Sequence, residues 1–240
     1  MSTYLLVHGA WHSGEVWERV VPLLEAAGHR VFAPSLTGYG DTAHLASSAT
    51  GLDTHVDDIV GLITEEDLTE VILVGHSYAG LVISSVANQV PDRIARLVYL
   101  DAMVPEDGES AADVQPVSQA LIDLALASES GWRIPPLPEL PPPSGLFGVT
   151  DPADVAWLRT LLSDQPVRCL QQPVRLDNPA ADAIARTHIR CTVKPAGIVQ
   201  RPLPAVQPNG APTEIWELPT GHDCMITMPA ELSELLLKLG

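Results

Sequence analysis

Residues 71–80, VILVGHSYAG, set a serine among small residues where one apolar, β-branched run gives way to another. Ser77, in Gly75-His76-Ser77-Tyr78-Ala79, has the strand-to-helix context of a nucleophile elbow. A nucleophilic serine there occupies a strained turn with its hydroxyl above the sheet edge, and bulky neighbours would collide with the adjacent strand and helix. The usual motif has Gly where this chain has Ala79, so the turn must accommodate one extra methyl. A helix starting at Tyr78 also aims free backbone N–H groups at the site. The competing reading is an ordinary turn capped by Ser77; the strand context favours the nucleophile.

A serine hydroxyl needs a base. Of the eight histidines, His222 follows an apolar strand in EIWELPTGHD and precedes the last helical pattern. The expected chain order is nucleophile, acid, histidine, and His222 fills the last place. His76 abuts Ser77 but points away from it on a strand-turn path, which gives it a packing role. An oxyanion needs two donors. One is the backbone N–H of Tyr78. The other is the N–H of Ala10, in the loop His8-Gly9-Ala10-Trp11-His12, where Gly9 permits a tight backbone. His8 and His12 have i, i+4 spacing, but they lie on a strand-to-loop segment and no Glu follows His8, which argues against a zinc pair. Chemistry of this kind needs no metal and no organic cofactor.

The elements that must position these residues alternate along the chain. Tyr4–His8, Arg30–Leu36, Val71–Val74, Leu97–Leu100, His188–Cys191 and Glu214–Leu218 read as short apolar strands. Trp17–Ala27, His55–Thr64, Tyr78–Gln89 and Pro229–Leu239 carry helical spacing. Such alternation predicts an α/β fold with a mostly parallel sheet flanked by helices on both faces. The middle of the chain is richer in proline, with IPPLPELPPPSG at 134–145 and helices expected at Val117–Ala127 and Asp151–Leu162. We read 1–104 and 187–240 as the core, and 105–186 as an insertion after the strand ending at Asp101. An insertion this long in a compact domain reads as a lid or cap over a site.

Composition excludes several classes of partner. The formal net charge of −17 argues against nucleic acid and against an anionic membrane surface. No apolar stretch is long enough to span a bilayer, and the N-terminal apolar run is too short for a signal peptide. Cys169, Cys191 and Cys224 are odd in number and far apart, so no disulfide framework is implied and a cytoplasmic location is the default.

Taken together, LLVHGAWHSGEVWERVVPLLEAAGHRVFAPSLTGYG, VILVGHSYAG, RLVYLDAMVPEDG and PTGHDCMI resemble the α/β-hydrolase superfamily. Within it, they resemble the small esterases that include plant methylesterases, hydroxynitrile lyases and bacterial pyrethroid-hydrolase-type carboxylesterases. The resemblance implies an eight-stranded sheet in longer members; here the first antiparallel strands are expected to be missing. It also implies an acid in the loop after the strand HIRCT. This chain continues Val193-Lys194-Pro195-Ala196-Gly197 there, and no carboxylate stands between Arg186 and Glu214. Three alternatives follow: Asp101, at the end of LVYLD, where some α/β-hydrolases carry their acid; Asp223, although a sequence neighbour seldom orients the adjacent ring; or a dyad without an acid.

The first functional reading is a serine hydrolase acting on a small, mostly apolar carboxylic ester or lactone through an acyl-enzyme. In it Ser77 attacks, His222 moves the proton and Asp101 orients His222, with Trp11, Trp132, Leu137, Phe147 and Trp157 as pocket walls. The second is a lyase or other non-hydrolytic biosynthetic enzyme on the same scaffold. The lyases that the chain resembles carry Thr in place of Ala10 and Lys shortly after the histidine, where this chain has Asp223. The third is an inactive homologue that binds a small ligand.

Overall fold

The computed structural model describes residues 1–195, 198 and 200–240. In chain order its elements are β1 (Thr3–Val7), α1 (Val21–Ala26), β2 (Arg30–Phe32), α2 (Leu52–Glu65), β3 (Val71–His76), α3 (Ala79–Gln89) and β4 (Ile94–Leu100). Then follow α4 (Ala111–Val114), α5 (Val117–Leu126), β5 (Arg133–Ile134), α6 (Pro152–Leu161), β6 (Gln165–Pro166) and α7 (Val167–Gln171). The chain closes with β7 (Ala185–Cys191), β8 (Glu214–Leu218), α8 (Cys224–Thr227) and α9 (Pro229–Leu237).

Six strands form one sheet in the order β2-β1-β3-β4-β7-β8, and every pairing is parallel. No antiparallel strand joins this sheet among the described residues. Successive residues of a strand face opposite sides. Leu5, Val7 and Leu73 therefore pack with Ile59 and Ile63 of α2 and Val82 and Val86 of α3. Tyr4, Leu6, Ile72 and Val74 pack on the other face with Leu24 of α1 and Leu232 and Leu236 of α9. Both faces are buried, which is why the strands read as unbroken apolar runs.

Strand order reverses between β1 and β3: α1 leads outward to β2, and α2 carries the chain back across β1. Loops leaving the carboxyl ends of β1 and β3 diverge at such a point and open a crevice between them. Gly9-Ala10-Trp11 and Ser77 both leave the sheet there.

Several element boundaries differ from expectation for local reasons. The edge strand β2 stops at Phe32, two residues before Pro34, which lacks a ladder donor. The expected helix Trp17–Ala27 divides into a 3-10 turn at Gly14–Trp17 and the short α1. In the segment between β4 and β7, Asp151 caps α6 by accepting from Ala153 N at 2.9 Å and Asp154 N at 3.0 Å. Ile122, Ile134 and Leu170 of that segment join one core cluster, and Leu146 and Leu158 join the other. Ala185 and Arg186, expected in the insertion, belong to β7. No helix among the described residues is long and apolar enough to cross a membrane.

Candidate active site

Ser77 sits between β3 and α3 with φ 56°, a left-handed conformation that a non-glycine residue adopts only when its surroundings hold it there. The Ser77 carbonyl accepts from Met103 N at 3.0 Å, and its N–H donates to Leu100 O at 3.2 Å, so the turn is bolted to the end of β4. The small neighbours have the expected steric cause. A Cβ at Gly75 would lie 2.7 Å from Ala79 O, and one at Gly9 would lie 2.9 Å from Ser77 Cβ. Ala79, where the usual motif has Gly, is fully buried and accommodated.

The loop after β1 is fixed by its own histidines and by the segment between β4 and β7. His8 accepts from Leu36 N at 3.0 Å through Nε2 and donates from Nδ1 to Gly9 O at 2.9 Å. Burial pushes its pKa down to about 3, so the ring is neutral. Trp11 has φ 66°; its N–H donates to Gln165 Oε1 at 3.1 Å and its indole N–H to Ile134 O at 3.0 Å. The Trp11 amide is thereby occupied. Among the described residues no acceptor takes the N–H of Ala10 or of Tyr78, the two expected oxyanion donors. The Tyr78 side chain turns into the core, where its hydroxyl donates to His55 Nδ1 at 3.0 Å.

His222 Nδ1 lies 2.6 Å from Asp101 Oδ2. A carboxylate accepts, so Nδ1 donates and Nε2 is left as the basic nitrogen. Of the three alternatives for the acid, the geometry brings Asp101 to the histidine. Asp223 turns the other way and pairs with His12 at 2.8 Å. The Asp101 side chain is 1% exposed, and its Oδ1 accepts from Gln200 Nε2 at 2.8 Å and Cys191 N at 3.1 Å. Lys194, in the loop where a carboxylate is usual, forms an ion pair with Oδ2. Burial opposes the charge on Asp101, but the His222 and Lys194 partners overcome it and hold the carboxyl well below the usual range. Sequence reasoning missed Lys194 and Gln200; the cue available was a lone lysine in an acid-free stretch.

His76 is buried as expected and donates from Nε2 to the His222 carbonyl at 3.1 Å. His76, His222 and Asp223 bring donor atoms within 4.8 Å of one another, the spacing of a metal site. Asp223 is already paired with His12, and Nδ1 of His222 with Asp101.

Ser77, His222, Ala10 and Asp101 all line one cavity of about 390 Å³. Trp11, Leu137 and Phe147 line it, with Val104, Val117 and Leu121. Trp132 and Trp157 do not, which corrects the sequence expectation. Each indole is instead covered by an arginine, Arg133 at 4.4 Å from Trp132 and Arg19 at 5.0 Å from Trp157, away from the cavity.

The chain is similar to known proteins along its whole length. The model of the alpha/beta hydrolase family matches residues 4–235. A carbendazim hydrolyzing esterase from Nocardioides sp. is 36% identical over 255 residues, covering 100% of both chains. A pyrethroid hydrolase from Sphingobium wenxiniae is 40% identical over 106 residues, 43% of this chain and 37% of its own length. An extracellular alpha/beta-hydrolase from a Paenibacillus species, described as homologous in structure and function to tobacco salicylic acid binding protein 2, superposes with a TM-score of 0.80. It is 25% identical and covers 100% of this chain and 99% of its own. The six-stranded parallel sheet, the serine elbow and this end-to-end match agree: the chain belongs to the α/β hydrolase family.

Proposed function

We propose that this protein is a serine carboxylesterase acting on small, mostly apolar esters or lactones. The observation that carries the reading is the His222–Asp101 pair at 2.6 Å, opening onto the same apolar cavity as the strained Ser77. Ser77 Oγ attacks the ester carbonyl while His222 Nε2 takes its proton. The oxyanion that forms receives hydrogen bonds from the N–H groups of Ala10 and Tyr78. Protonated His222 then gives its proton to the departing alkoxide, leaving an acyl ester on Ser77. Water, deprotonated by His222, releases the acid. Asp101 keeps His222 in the tautomer with Nδ1–H and stabilises the imidazolium. The segment between β4 and β7 acts as a cap that closes the cavity over the serine.

The whole-length relative is named an esterase, which supports ester hydrolysis here. The lyase reading is weaker. Ala10 and Asp223 depart from the lyase pattern, and the carboxylate contact on His222 supports ordinary ester hydrolysis. Three free, buried cysteines support a reducing, cytoplasmic compartment. The charge of −17 leaves a small molecule, not a nucleic acid, as the partner.

The test uses a fluorophosphonate probe and a short-chain aryl ester. Wild type is expected to label and to turn over the ester, and Ser77→Ala and His222→Ala to do neither. Asp101→Asn is expected to lose turnover as strongly as His222→Ala, by about 10³–10⁴-fold. Unchanged turnover in Asp101→Asn would remove it as the acid, and an unlabelled wild type would end the esterase reading.

A further inference from the structure

Beneath the candidate base lies a buried polar pair to which the ester chemistry assigns no step. His12 Nδ1 stands 2.7 Å from the Ala10 carbonyl, and His12 Nε2 stands 2.8 Å from Asp223 Oδ2. Both side chains are 2% exposed or less. A carbonyl carries no proton, so Nδ1 donates to Ala10. Nε2 then faces the Asp223 carboxyl. Burial acts to lower the His12 pKa, and Asp223, with the Ala10 carbonyl, outweighs burial and raises it.

The two ends of this pair sit at two different parts of the site. At one end His12 grips the carbonyl of Ala10, a residue that lines the cavity and whose own N–H has no acceptor among the described residues. At the other end Asp223 follows His222 directly in the chain and starts α8, with its N–H donating to Phe147 O at 2.9 Å. The oxyanion loop after β1 and the histidine loop after β8 come from strands at opposite parts of the sheet, with β3, β4 and β7 between them. Among the described residues, the His12–Asp223 pair is the side-chain ion pair that joins them.

We infer that His12 and Asp223 are positioning residues, a buried strut that fixes the oxyanion donor at Ala10 and the base at His222 relative to each other. The inference rests on the esterase reading above. Donor and base must act on the same tetrahedral centre, and a misplacement of about 1 Å costs about 100-fold in rate. Substrate binding in the apolar cavity needs no such precision. Loss of the strut therefore lowers kcat and leaves KM near its original value.

The experiment separates positioning from folding. Breaking one half of a buried pair destabilises a protein, whereas replacing both halves by apolar residues is often neutral. Asp223→Asn and the double variant His12→Leu/Asp223→Leu are compared with wild type on a short-chain aryl ester. The inhibition constant of a trifluoromethyl ketone, which forms the tetrahedral adduct on the serine, is measured alongside, and rates are expressed per folded molecule. Both variants are expected to lose about 10–100-fold in kcat with KM within about threefold, and to bind the ketone more weakly in proportion. A double variant that melts like wild type and keeps wild-type kcat and ketone affinity would overturn the inference, as would an Asp223→Asn loss explained wholly by its unfolded fraction. If wild type itself neither hydrolyses the ester nor binds the ketone, the esterase reading fails first and takes this inference with it.

Discussion

At the scale of single residues, the carboxylate that meets His222 comes from the end of β4, and a lysine in the loop after β7 pairs with it. Asp101 Oδ2 is shared between His222 and Lys194, and Oδ1 between Gln200 and the Cys191 amide. Such a carboxylate costs much to bury and is retained because every lone pair is engaged. The sign of its pH dependence follows from its depressed pKa. A carboxyl held below its unfolded value of about 3.9 stabilises the fold above that pH, and the contribution is lost as pH falls toward the folded value. Lys194→Met makes the depression smaller. The wild type is therefore expected to exceed this variant in urea midpoint at pH 7, with the gap closing only in acid below the usual carboxylate range. A gap that stays constant throughout that acid range would show that Lys194 stabilises the fold by some route other than the charge on Asp101.

At the scale of elements, close approach decides which glycines are free to change. Gly80, in the first turn of α3, lies against the chain leaving β4, and a Cβ there would be 1.8 Å from Met103 O. That backbone is the same one that holds the Ser77 carbonyl, so it has little room to give. Gly80→Ala is expected to cost about 1–3 kcal/mol, the range of overpacked cores. It should also slow serine labelling, because the turn must shift. Gly61 lies inside α2, where a Cβ would meet nothing within 4 Å. Gly61→Ala is expected to stabilise by about 0.5–1 kcal/mol through helix propensity. Thermal melts of the two variants should move in opposite directions. Movement in the same direction would refute the steric account.

At the scale of the whole molecule, the cavity belongs to neither the sheet nor the inserted segment alone. Ser77 and Ala10 come from the sheet edge, His222 from the loop after β8, and Leu121 and Leu137 from the segment between β4 and β7. Both core clusters run through that segment, so it packs as part of one domain. Filling the cavity from its outer side should change selectivity without touching the reacting groups. Leu121→Trp is expected to lower kcat/KM for a bulky aryl ester by about tenfold or more, while an acetyl ester stays within about threefold. An equal loss on both esters would place Leu121 away from the acyl or alcohol path.

The alternation of apolar strands and periodic helices was legible because a sheet covered on both faces must be built from unbroken apolar runs. The turn at Ser77 and the small residues around it were legible because a strained strand-to-helix turn tolerates few neighbours. Asp101 remained one of three alternatives in the sequence, since an acid is recognised by which ring it meets. Here that meeting joins the end of β4 to a loop 121 residues further on. Trp132 and Trp157 went wrong as cavity walls because aromatic identity says nothing about which side of a loop or helix faces inward. Lys194 on Asp101, and Asp223 on His12 rather than on its neighbour His222, were decided by tertiary structure alone. Sequence adjacency sets the distance between backbones, whereas the direction of a buried charge is set by the partner that can neutralise it.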